Sequence, residues 1–212
     1  MSRETLATLN TQTLIGFADR RGTAWHYRRE LQGAESNHYS DGVPVDDVLR
    51  RLFHWRPVSI PLEVPWLTAD GVSHILDETR QVIIRPDTQA VMGVFKAGYK
   101  VHPYDEWLLK NLRTLWDTDE LGIASAGLLS GGARAWVQIE APETREVEGV
   151  KHRPFVTAAT SCDGSLATTY GRGTTAVVCD NTLSVALGEF SASVKVKHSR
   201  NSLGRLTDVR DA

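Results

Sequence analysis

Apolar residues at Val45, Val48, Leu49, Leu52 and Phe53 recur at helical spacing, so they share one face of a predicted helix that follows Ser40 and Asp41 as candidate caps. Arg50 and Arg51 take its opposite face. A second helix follows His102-Pro103, with Asp105 and Glu106 in its first turn and Trp107, Leu108, Leu112, Leu115 and Trp116 on one face. Asn181–Phe190 predicts a third, burying Leu183, Val185, Ala186 and Leu187, with Asp180 or Asn181 as N-cap.

Between these helices the period shortens to two. Gln81–Arg85 and Val91–Phe95 are β-branched runs joined by Pro86-Asp87-Thr88-Gln89, which reads as a hairpin. Arg56–Val64 alternates in part but contains Pro57 and Pro61, so it is expected as an edge or irregular strand. Ile123–Leu129, a Ser130-Gly131-Gly132 turn and Ala133–Glu140 form a further expected hairpin. Strands are also expected at Phe155–Thr160, Leu166–Tyr170, Thr174–Val178 and, as a last basic strand, Val194–His198. Hairpins interleaved with a few helices predict an α+β fold, an antiparallel sheet of local hairpins packed by helices. Residues 1–40 show no sustained period and are expected as an irregular N-terminal arm, residues 41–202 as the core domain, and 203–212 as the start of a C-terminal extension.

A chain of 212 residues, 41% hydrophobic and 24% charged, fits one soluble domain. No apolar run approaches the ~20 residues of a spanning helix, and the polar start Met1-Ser2-Arg3-Glu4-Thr5 does not read as a secretory signal. An intracellular protein without a membrane is expected. The net charge of -2 hides a division: residues 61–150 are acidic, whereas 151–212 carry a basic excess. Any site for a polyanion must therefore be local.

Several chemistries find little support. Gly127–Arg134 lacks the Lys-Ser/Thr ending of a phosphate loop, and Gly171-Arg-Gly173 does not continue as a dinucleotide fingerprint; both are expected to be hairpin turns. Seven histidines are scattered without metal-ligand spacing, and two cysteines cannot form a four-ligand zinc site. Cys162, in a Ser-Cys-Asp-Gly turn, is the candidate for a thiol nucleophile, but a buried hydrophobe is the stronger reading, as it is for Cys179. No catalytic residue, metal or cofactor is expected.

Two stretches carry a clearer signal. Trp25, His26 and Tyr27 lie between Arg20/Arg21 and Arg28/Arg29, combining rings for base stacking with cations for phosphates. A solvated loop anchored by one buried tryptophan explains the same run. Lys195 and Lys197 alternate on one strand face with Arg200 beyond, a row suited to a polyphosphate or, equally, to guarding an exposed sheet edge.

Gly22-Thr-Ala-Trp25-His26, Trp136-Val-Gln-Ile, Thr160-Ser-Cys-Asp163-Gly164-Ser165, Val177-Val-Cys179-Asp180-Asn181-Thr182-Leu183 and Lys197-His198-Ser199-Arg200-Asn201 together resemble the phage/plasmid-like protein family, a domain of unknown function 932, over residues ~20–205. Family members more often have His where Cys162 stands and Asn where Asp180 stands. The resemblance implies DNA metabolism of mobile elements in a bacterial cytoplasm, and the element order is remotely similar to the core of ring-forming single-strand annealing recombination proteins. It implies no catalytic residues.

The expected function is therefore single-stranded DNA binding and strand annealing in recombination by a homo-oligomer, without catalysis. Lys195, Lys197 and Arg200 would hold the backbone, Arg28 and Arg29 assist, and Trp25 or Tyr27 stack on bases. The alternatives are an oligomeric protein-interaction or host-interference factor, in which acidic 61–150 meets a neighbour's basic flanks, and a cysteine- or metal-dependent hydrolase.

Overall fold

The computed structural model describes residues 2–112, 122–140, 145–147 and 150–202, with 145–147 and 150–152 as backbone alone. Leu115 and Trp116 of the second expected helix, and the extension 203–212, lie outside the described residues.

The fold is α+β and its sheets are antiparallel, as the alternating runs predict. Strands β1 (Thr13–Ile15), β5 (Ile123–Leu129), β6 (Arg134–Glu140), β9 (Phe155–Ser161), β10 (Thr168–Gly173) and β11 (Ser193–Val196) form a six-stranded sheet in that spatial order. The strands β2 (Val58–Thr68), β3 (Gly71–Arg85) and β4 (Ala90–Lys96) form a second sheet, and β7 (Arg145–Val147) pairs with β8 (Val150–His152). Prolines 61 and 65 are tolerated because β2 is an edge strand.

Each face of the large sheet is covered by a different set of elements. On one face, Ala135, Val137, Ala158 and Tyr170 pack with Val48 and Leu52 of α3 (Val45–Arg51), with Leu108 and Leu112, and with Ile83 of the smaller sheet. On the other, Trp136 and Ala159 meet Leu9 of α1 (Leu6–Gln12) and Leu183 and Ala186 of α4 (Asp180–Glu189), α2 being the short turn Ala18–Arg21. The central strands β5 and β9 are buried at every position, which the two covering layers require. Gly127 faces Trp136 across the ladder, and a Cβ there would lie 2.0 Å from the indole ring. The large ring is thus accommodated by removal of the small side chain opposite it.

The sequence-based picture needs correction in six places. The N-terminal segment is not irregular throughout: α1 is capped by Thr5, whose Oγ1 accepts from Thr8 N at 3.1 Å, and β1 is an edge of the main sheet. Asn10, fully buried, then pins the following loop by donating to the carbonyl of His26 at 2.8 Å and accepting from Arg28 N at 2.8 Å. Hydrogen bonding rather than an apolar period orders this region. Thr174–Val178 is not a strand, because side chains take its backbone groups: Glu189 accepts from Thr174 N and Thr175 N, while Gln138 accepts from Val177 N at 2.9 Å. Gly171 and Gly173 lie in β10 instead of a turn, and Gly171 leaves room for the Phe190 ring.

The cap of α4 is Cys179, whose N–H donates to Thr182 Oγ1 at 3.0 Å; Asp180 instead accepts from Ser2 Oγ and from Arg3 N. Val185 on that helix is exposed, not buried. Finally, the helix after Pro103 is π-helical over Asp105–Lys110.

Candidate functional site

Among the described residues there is no group of three or more His, Cys, Asp or Glu side chains placed to hold a metal ion. Both cysteines are buried. Burial pushes the Cys162 thiol up to about 12, with the Asp163 carboxylate adding to the shift, so it is a neutral thiol near pH 7 and lacks the thiolate a nucleophile needs.

The expected polyanion residues fall into two sets on opposite edges of the large sheet. Lys195 lies on edge strand β11, opposite Thr169 of β10. Lys195 and Lys197 are exposed on either side of buried Val196, as the alternation predicts, and Arg200 is exposed beyond them. The other set sits beside α1 and β1. Trp25 is 61% exposed there, and Arg28 and Arg29 are exposed as well. Tyr27 is half-buried and engaged edge-on by His38, with ring centres 4.6 Å apart, so its faces are less open than those of Trp25. Five strand spacings of ~4.8 Å put the two edges ~24 Å apart, and one copy does not unite both sets in one groove.

What holds the β11 set in place is a column of rings invisible to periodicity. Phe95 stacks on Tyr99 at 4.0 Å, Tyr99 on His198 at 5.0 Å, His198 on His102 at 3.9 Å, and His102 on Trp107 at 3.6 Å. Polar contacts lock the two imidazoles: His102 Nδ1 lies 2.6 Å from Thr168 Oγ1, Thr168 Oγ1 lies 2.7 Å from Thr160 Oγ1, and Thr160 Oγ1 lies 3.2 Å from His198 Nε2. His198 Nδ1 is 3.0 Å from the Lys100 carbonyl, which fits an N–H donor there. Burial lowers the pKa of both rings, that of His102 to about 3 with the neighbouring His198 adding to the shift; both are neutral near pH 7. His198 thus anchors the segment from which Lys197 and Arg200 project.

The same anchor brings in cations that sequence reasoning missed. Lys100 is tied to His198 through its carbonyl, and Lys96 closes the turn below Tyr99, its carbonyl accepting from Tyr99 N at 2.9 Å. Both are exposed. Across β3–β4, Lys96 lies opposite Arg80. No period links positions 96, 100 and 195–200; only the mixed aromatic and histidine content of 95–107 and 198 signals the connection.

Ion pairing engages many of the other arginines, though not, among the described residues, Arg3 or Arg20. Arg21 pairs with Glu140, Arg50 with Glu35 and Asp47, Arg56 with Asp105, and Arg85 with Asp87. Among the described residues, by contrast, Lys96, Lys100, Lys195, Lys197 and Arg200 enter no salt bridge, nor do Arg28 and Arg29. The β11 edge is therefore a group of uncompensated cations on a rigid support, able to receive a polyanion without breaking existing ion pairs.

Comparison with known proteins bears on identity more than on activity. No curated protein and no solved structure matches the chain. Residues 91–212 match a family described as "Domain of unknown function (DUF932)", a region that takes in β5, β6, β9–β11, α4, Lys96, Lys100 and the whole ring column. By that match over more than half its length, the chain belongs to the DUF932 family.

Proposed function

We propose that this protein binds single-stranded DNA on the β11 edge and pairs complementary strands as an oligomer, in recombination of phage- or plasmid-type elements. The observation that carries the reading is the set of exposed cations that enter no salt bridge among the described residues: Lys195, Lys197 and Arg200 on and just beyond edge strand β11, with Lys100, whose carbonyl meets His198 Nδ1, and Lys96, whose carbonyl accepts from Tyr99 N. Such a row neutralises phosphates and leaves bases free to test register, which is what annealing requires; no cofactor or bond-breaking group is needed. Arg28, Arg29 and Trp25 belong to the other edge and join the same track only across neighbouring copies. Tyr27 is the weakest of the expected stacking residues, because its ring is already engaged by His38.

The test is fluorescence anisotropy of a labelled single-stranded oligonucleotide at low and moderate salt, with duplex as competitor. Salt-dependent binding that prefers the single strand is expected. In the Lys195→Ala, Lys197→Ala variant the salt slope should fall by ~1.4, at ~0.7 for each phosphate that is no longer neutralised. Absence of binding at low salt, or an unchanged slope in the variant, overturns the reading. A second reading, an oligomeric protein-interaction factor, is favoured by a different observation: the apolar strands β2 and β3 are exposed.

A further inference from the structure

The β2–β3 hairpin extends well past its support. β4 pairs with β3 from Arg80 to Arg85, whereas the pairs from Leu62–Asp77 to Thr68–Gly71 have no third strand among the described residues. At ~3.4 Å per residue and ~4.8 Å between strands, these seven pairs make a ribbon ~24 Å long and ~10 Å wide. Residues directly opposite share a face. One face therefore carries Leu62, Val64, Trp66 and Ile75, and the other Pro65, Leu67, Val72 and Leu76.

Both faces are open to water. Trp66 is 52% exposed, Leu67 80%, Val72 62%, Ile75 55% and Leu76 54%. Each face outlines only ~240 Å², below the ~300–600 Å² of the largest patches on ordinary monomers, but a two-stranded ribbon is marginal in water without something to pack on.

Charge narrows what that something is. The ribbon and its base hold Glu63, Asp70, Asp77 and Glu78 against Arg80. An acidic arm is repelled by nucleic acid and by anionic lipid alike. The complementary surface lies on the chain itself. Among the described residues, exposed large hydrophobics outside the three-stranded sheet are Leu6, Trp25 and Val185. All three belong to the layer formed by α1, the loop it pins and α4; that layer also holds Glu4, Glu30, Asp180 and Glu189, but beside Trp25 the exposed Arg28 and Arg29, without salt bridges among the described residues, outnumber Glu30. The ribbon, however, springs from the sheet that packs on the opposite face of the large sheet. Donor and acceptor thus sit on opposite faces of one copy, which favours a contact between copies over one within a copy.

We infer that the residue 62–79 ribbon is an assembly arm, and that its occupant is a second copy of this chain, docked through the α1–α4 layer near Trp25. Such a contact is heterologous and repeats from copy to copy. It takes no residue from the β11 edge, on which the proposed DNA binding chiefly rests, but it occupies Trp25 and the neighbouring Arg28 and Arg29.

Size-exclusion chromatography with light scattering on the full chain at micromolar concentration tests it. The wild type should be oligomeric. A donor variant, Trp66→Ser with Leu67→Lys and Ile75→Lys, and an acceptor variant, Trp25→Ala with Val185→Lys, should each weaken self-association ~30-fold or more, as loss of an anchoring side chain does. Unaltered circular dichroism establishes that each variant folds; if the triple donor variant does not, Leu67→Lys alone at the ribbon tip replaces it. Mixed one to one, the two variants should recover a dimer and nothing larger, since each retains one half of the contact. A monomeric wild type, or an acceptor variant that assembles as the wild type does, overturns the inference.

Discussion

Strand β9 and the β2–β3 ribbon share an extended backbone and meet opposite fates. Phe155–Ser161 is buried at every position between two layers of side chains. The ribbon carries more large apolar side chains than β9, among them Trp66, Leu67, Val72, Ile75 and Leu76, and yet is exposed along nearly its whole free length. Local composition therefore says that a segment prefers extended backbone, but the elements lying above and below it decide whether its apolar atoms leave water. Among the described residues no such elements lie over the ribbon, and its apolar atoms stay in water.

The largest way to sharpen the contrast is to truncate one tryptophan in each region. Trp136→Ala removes a fully buried ring from beneath α1 and α4 and should cost ~3–5 kcal/mol in chemical denaturation. Trp66→Ala should change the unfolding free energy of the isolated monomer by less than ~0.5 kcal/mol. A large effect at Trp66 would mean that the ribbon packs on its own chain.

Gly127→Ala probes the same core from the opposite strand. The new methyl would overlap the Trp136 ring, so a loss of ~1–3 kcal/mol is expected, measured by the same titration.

Acid titration separates the two regions by protonation. His102 is 1% exposed and held neutral by burial, with a pKa of about 3 in the fold against an ordinary value of 6.5. The unfolded chain binds its proton first as pH falls, so the contribution is fully present above pH ~6.5 and is lost progressively between there and pH ~3. From pH 7 to 5 the loss should be ~2 kcal/mol for this one residue. His38, lowered to about 4 by burial with His26 adding to the shift, acts with the same sign. Denaturation curves for the wild type and His102→Phe at pH 7 and 5 test it, and the variant should have a visibly flatter pH dependence.

The smallest equilibrium effect but the clearest kinetic one is amide exchange. Ribbon amides 64–75 should exchange through local opening, well before those of β9, which should require global unfolding. Equal protection in the two regions of a monomer would break the comparison.

Most elements were legible from the chain because each rests on a local period. The helix at Val45–Arg51, the Ser130–Gly132 turn and the hairpin around Pro86–Gln89 appear where the pattern puts them, and Pro61 correctly marks an edge. The misses share a cause. Thr174–Val178 has strand composition, but Gln138 and Glu189 reach its backbone first; the N-terminal segment lacks a period because Asn10, not an apolar stripe, orders its loop. Of the candidate site, Lys195 and Lys197 were visible by alternation and Arg200 as the next cation along the chain. Lys96 and Lys100 were not, because their link to that segment runs through long-range contacts, the Lys100 carbonyl with His198 and the stacking of Tyr99 on His198.

By itself the sequence determined an antiparallel α+β chain with two local concentrations of cations, since alternation, helical spacing and turn residues act over a few neighbours. Tertiary structure alone decided that those cations stand on opposite edges of one sheet, that Cys162 is sealed off, and that a hairpin of core-like composition stands in water. Each of these depends on which distant segment covers which face, and short-range periodicity carries no information about coverage.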